Sequence, residues 1–67
     1  MESIGEKLRK RREEEGYSLD QATRDTNIAK SYLEALESED FASFPGEPYL
    51  IVFLRNYSEY LGLDVDE

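Results

Sequence analysis

SLDQATRDTNIAKSYLEALESED, residues 18–40, reads as two short helices joined by a turn. Ser18 followed by Gln21 has the spacing of a capping box, in which side-chain oxygens satisfy orphan backbone N–H groups at a helix start. A helix is predicted from Leu19 to about Asp25, with Leu19 and Ala22 facing inward. Thr26 and Asn27 favour local hydrogen bonds over helix continuation and end it. Ile28 falls in the turn and is expected to plug the core. A second helix, from about Ala29 to Ser38, carries Tyr32, Leu33, Leu36 and Glu37 at i, i+1, i+4 and i+5, with Leu33 and Leu36 as its core contacts. A short helix, a turn with a buried isoleucine and a second helix make a helix-turn-helix arrangement.

Upstream, Ser3 and Glu6 repeat the capping box and open a helix from about Ile4 to Glu15, which Gly16 ends in a left-handed conformation. Its apolar face is thin. Ile4 and Leu8 stand at i and i+4, and Arg11 and Arg12 continue that side, so arginine methylenes must extend it. Downstream, Glu39–Gly46 interrupts the helical period with a proline and a glycine and is expected to be pinned by Phe41 and Phe44.

The fourth helix, EPYLIVFLRNYSEYL (Glu47–Leu61), holds nine apolar or aromatic residues and three charges. Pro48 suits its first turn, where a missing N–H costs nothing, and Gly62 ends it. At ~100° per residue, Leu50, Leu54, Tyr57 and Leu61 share one line, and Tyr49, Phe53 and Tyr60 share a second beside it. The two lines span roughly 140°, more than the ~100° stripe one buried face requires. Ile51 and Val52 lie outside both. The first line is read as core. The second is a docking surface, unless so small a domain wraps the whole helix. Asp64, three positions before Glu67, has the look of a further helix cap, so the natural protein is expected to continue into a fifth helix.

Sixty-seven residues make one domain, 1–67, and a chain of this length buries only about 60% of its unfolded surface. The absence of cysteine and histidine removes disulfides and the commonest zinc sites, so packing must hold the fold. No run of eighteen apolar residues and no signal-peptide core occur, so this stretch is expected to be soluble. Short connections force the helices into an all-α bundle: four helices and the possible start of a fifth.

Catalysis is not expected. The usual proton-transfer and nucleophilic groups are missing, the serines have no base beside them, and the carboxylates lie on solvated helix faces. Neither a glycine-rich phosphate loop nor an EF-hand pattern occurs, and no cofactor is implied.

A helix-turn-helix raises DNA binding as one reading. Against it stand a net charge of −8 and a poor set of donors at the start of the third helix: Ala29, Lys30, Ser31 and Glu34. Lys7, Arg9, Lys10, Arg11 and Arg12 form a basic stripe, but Glu13, Glu14 and Glu15 follow at once.

Three segments in order, IGEKLRKRREEEGYSLDQATRDTNI, YLEALESEDF and FPGEPYLIVFLRNYSEYLGLD, resemble the N-terminal cytoplasmic helix-turn-helix domain of the RodZ family of bacterial cell-shape proteins. The most specific block is PGEPY followed by FLRNYSEYLGLD. The resemblance implies a membrane-anchored protein, here without its transmembrane and extracellular parts, at the cytoplasmic side of the bacterial inner membrane. Its domain docks on the bacterial actin MreB through the fourth-helix region and does not primarily read DNA. The family's aromatic pair falls on Tyr49 and Phe53. Tyr60 and Lys30 are further candidate contacts, and Tyr57 is expected inward with Leu54. Val52 stands where such sequences commonly have a small residue, often glycine. Helix-turn-helix domains of this kind also tie their first and third helices with an arginine–glutamate pair, which falls on Arg12 and Glu37.

The leading reading is therefore a non-enzymatic, monomeric adaptor domain that binds an actin-like filament protein and no specific nucleic acid. The alternative is a transcription regulator using the second and third helices. Salt separates them, because a phosphate-driven complex weakens steeply with salt.

Overall fold

Both capping serines open helices. A computed structural model describes residues 2–63, in which α1 (Ile4–Glu14), α2 (Leu19–Thr26), α3 (Lys30–Ser38) and α4 (Glu47–Tyr60) follow in order, with one 3-10 turn, Phe41–Ser43, before α4. The Ser3 hydroxyl accepts the Glu6 N–H at 3.3 Å, and the Ser18 hydroxyl accepts that of Gln21 at 3.0 Å. The fold is all-α, a helix-turn-helix (α2 and α3) flanked by α1 and α4. The further helix start read at Asp64 lies outside the described residues.

Local chemistry sets the breaks. Gly16 is left-handed at φ +76°, a conformation that costs glycine nothing. Asn27 ends α2 at φ +61°, while the Thr26 hydroxyl donates to the Ala22 carbonyl at 2.7 Å and accepts the Ile28 N–H at 3.2 Å. The α3 end has no comparable sequence signal. Glu39 turns left-handed at φ +62°, and the following Asp40 N–H returns to the Ala35 carbonyl at 2.8 Å.

The same Glu39 spans the bundle. Its carboxylate accepts the Gly5 N–H, one of the orphan donors of α1, at 2.8 Å. A Cβ on Gly5 would stand 2.4 Å from the Glu37 carbonyl oxygen, so glycine alone permits this approach of α1 to α3.

Leu8, Ala22, Ile28, Leu33, Leu36, Tyr57 and Leu61 form the buried centre, to which Ala35 and Phe44 add. Three expectations need correcting. Ile4 is exposed, and α1 contributes Leu8 and the close-packed Gly5 instead. Phe41 is exposed too, so Phe44 alone pins the loop into the core. Leu50 and Leu54 are only partly buried. Conversely Ser58, which lies off both apolar lines, is fully buried. Helical periodicity gives the direction of a side chain but not how far along the helix the neighbours reach. The core encloses α4 fully only at its end, at Tyr57, Ser58 and the following Leu61; Leu50, Phe53 and Leu54 pack against it from the side, and no residue from Glu47 to Asn56 is fully buried.

Candidate functional site

The most apolar helix of the chain is thus the least covered in its first half. Tyr49, Ile51 and Val52 are 55%, 49% and 53% exposed, values more usual for charged side chains. Successive side chains of a helix fall ~100° apart, so Tyr49, Val52, Phe53 and Asn56 (i, i+3, i+4, i+7) share one outward face. Ile51 and Arg55 share another. An exposed apolar surface on so acidic a chain is a candidate protein-binding site.

A ladder of rings holds this face in place. Phe53, partly buried, packs against Tyr32 of α3 at a ring-centroid distance of 5.2 Å and against Phe44 at 6.1 Å. Tyr32 and Phe44 stack at 5.1 Å with planes 21° apart, and Tyr49 lies 6.5 Å from Phe53 at the outer end. These offset and tilted pairs are the arrangements that aromatic quadrupoles favour. The ladder therefore runs from buried Phe44 to exposed Tyr49 without a gap.

Behind it a polar network ties three helices together. The Arg12 guanidinium donates through Nε to Glu37 Oε2 at 2.7 Å and through Nη2 to Oε1 at 3.1 Å, and its Nη1 donates to the Tyr17 carbonyl at 2.9 Å. The Tyr57 hydroxyl donates to Glu37 Oε2 at 2.5 Å. The two charged side chains are only 13% and 8% exposed. Burial, and then the Glu37 carboxylate, push the Tyr57 phenol far above the ordinary tyrosine value, so it remains a donor. Each oxygen of Glu37 has a partner, which is what a buried carboxylate requires.

The structure separates the remaining candidates from the ladder. Tyr60 lies ~16 Å farther along the α4 axis than Tyr49. Its ring stacks on Tyr17 at 5.1 Å and its hydroxyl donates to Asp25 at 2.5 Å, both contacts within the chain. Lys30, in the first turn of α3, pairs with Asp20 at 3.3 Å. The basic stripe is largely engaged as well: Lys10 with Glu2, Arg11 with Glu14 and Glu15, and Arg12 with Glu37. Sequence reasoning missed Val52 and Tyr32 as members of the site. The i, i+3, i+4 spacing from Tyr49 would have found Val52. Tyr32 carried no signal, because its meeting with Phe53 depends on how α3 and α4 cross.

Among the described residues no group of acidic side chains is arranged to hold a metal ion, and no helix is long and apolar enough to cross a membrane.

Comparison with known proteins agrees with this architecture. The family model described as a helix-turn-helix domain matches residues 7–67. The chain is 42% identical over 50 residues to the uncharacterized membrane protein YmfM of Bacillus subtilis (strain 168), a match that covers 75% of this chain and 17% of that protein. It is 40% identical over 62 residues to the cytoskeleton protein RodZ of Streptococcus pneumoniae (strain ATCC BAA-255 / R6), covering 92% of this chain and 22% of that protein. The chain thus spans about a fifth of the length of these curated relatives. No solved structure matches it. The chain belongs to the helix-turn-helix domain family, and within that family it resembles RodZ.

Proposed function

We propose that this chain is a single non-enzymatic adaptor domain that docks on the actin-like protein MreB through the first half of α4, at the cytoplasmic face of the bacterial membrane. The observation that carries the reading is the under-covered half-helix, apolar and aromatic, packed against rings from α3 and the preceding loop. A partner that covered Tyr49, Val52 and the outer edge of Phe53 would gain hydrophobic contact at little ordering cost, because the rings are already fixed. The likeness to a protein named for the cytoskeleton and to another named for the membrane supports the choice of partner and location.

DNA is disfavoured both on this surface and at the start of α3. Lys30 has Asp20 as a neighbour, Glu34 is exposed beside it, and the net charge of −8 repels a polyanion. The test is co-sedimentation of the domain with MreB filaments beside a duplex-DNA gel shift, each across a salt series. Filament binding that survives added salt, with no specific shift, is the expected result. A sequence-dependent shift with no filament binding would replace this reading with a transcription regulator.

A further inference from the structure

Tyr32 lies in the first turn of α3, where a DNA-reading helix-turn-helix presents side chains to base edges. Here that position holds a ring that turns inward and touches both Phe44 and Phe53, at 5.1 and 5.2 Å. Phe53 has an unusual need for such a neighbour. It sits on the part of α4 that contains no fully buried residue, so its ring packs against the edge of the core and is only partly enclosed. Tyr49, its neighbour on the outer side, is itself more than half exposed. The rings that meet Phe53 on its inner side are Tyr32 and Phe44. Phe44 in turn is stacked at 21° on Tyr32, which belongs to a helix, whereas Phe44 belongs to a loop. Phe44 is anchored in the core, and Tyr32 is the helix-borne ring that touches both phenylalanines.

We infer that Tyr32 is a positioning residue for the docking face: its ring fixes the orientation in which Phe53 is offered to a partner. The inference rests on the α4 docking reading and assigns the face a second helix. A side chain that is ordered before contact loses less entropy on binding, so removing the restraint weakens binding without removing any group that the partner touches. The aromatic ring carries this effect and the hydroxyl does not, since both contacts of Tyr32 are made by its ring.

The experiment measures affinity for purified MreB, and melting temperature, for the wild type, Tyr32→Leu, Tyr32→Phe, Tyr49→Ala and the Phe53→Leu background with and without Tyr32→Leu. Tyr32→Leu is expected to weaken binding roughly tenfold, the scale of ordering one side chain, at a temperature well below its melting point. Tyr32→Phe restores wild-type affinity. In the Phe53→Leu background Tyr32→Leu adds nothing further, the coupling expected of a residue that acts through Phe53. If Tyr32→Leu binds like the wild type while Tyr49→Ala does not, Tyr32 is core packing only and the inference falls while the docking reading stands. If Tyr32→Phe is as weak as Tyr32→Leu, the hydroxyl meets the partner and the positioning role is wrong. Undiminished binding by Tyr49→Ala and Phe53→Leu would remove the docking reading and this inference with it.

Discussion

Arg12 and Glu37, 25 positions apart, meet through two parallel hydrogen bonds of 2.7 and 3.1 Å and join α1 to α3. The pair is largely shielded from water, so truncating either side leaves a buried charge without its partner. Arg12→Ala and Glu37→Ala are each expected to cost about 3 to 5 kcal/mol. The double variant should cost much less than their sum. Urea denaturation of the three variants measures the coupling, and additive losses would show that the pair acts as two independent surface charges.

Tyr57 fastens α4 to the same carboxylate. Tyr57→Phe keeps the ring in the core and removes one hydrogen bond to a charged acceptor, so a loss of about 1.5 to 3 kcal/mol is expected. Tyr57→Ala also opens a cavity and should cost about 3 to 5 kcal/mol. Leu54→Ala, at a partly buried site, should cost less than Tyr57→Ala. Thermal melts rank the three, and a larger loss for Leu54→Ala would place the core higher on α4 than the structure has it.

The polar ties explain what was and was not legible in the sequence. Capping serines, Gly16, Asn27 and the leucine spacing are local signals, and they gave the helices and the buried Ile28, Leu33 and Leu36. Glu39 combines two roles that no local pattern announces, a left-handed helix end and a cap on α1 from 34 positions away. Gly5 carries no local signal either, because only the α3 backbone beside it requires a glycine. On α4 the spacing gave Tyr57 and Leu61 correctly but over-assigned Leu50 and Leu54, because periodicity carries no information about where the neighbouring helices stop.

Glu39 also gives the fold a pH dependence. Its carboxyl is held below the usual glutamate value of 4.5 by the Ser3 hydroxyl and the Gly5 amide; the amide bond has the better geometry, since Ser3 donates to Glu6 at 3.3 Å. A carboxylate with a lowered folded value contributes stability above its unfolded value and loses it as pH falls through the folded one. Glu39→Gln should therefore be less stable than the wild type at neutral pH. That gap should close on acidification below about pH 4. Urea midpoints at the two conditions measure it, and a gap that persists in acid would assign the effect to shape instead of charge.

Charge also governs the response to nucleic acid. At ~150 mM salt no sequence-dependent duplex binding is expected, because Lys10, Arg11 and Arg12 are engaged with carboxylates and Lys30 with Asp20. Weak retention at low salt is compatible with the cations of α1. A sub-micromolar specific shift at the higher salt would contradict the account.

Tyr49→Ala tests the central claim most directly, because Tyr49 is 55% exposed and its loss leaves the core untouched. The measurement is the affinity of this variant for MreB at a temperature where both proteins are folded. A large aromatic at the centre of an interface contributes about 2 kcal/mol or more, so binding should weaken by roughly thirtyfold while the melting temperature stays near that of the wild type. Wild-type affinity in the folded Tyr49→Ala variant would contradict the assignment of α4 as the docking surface.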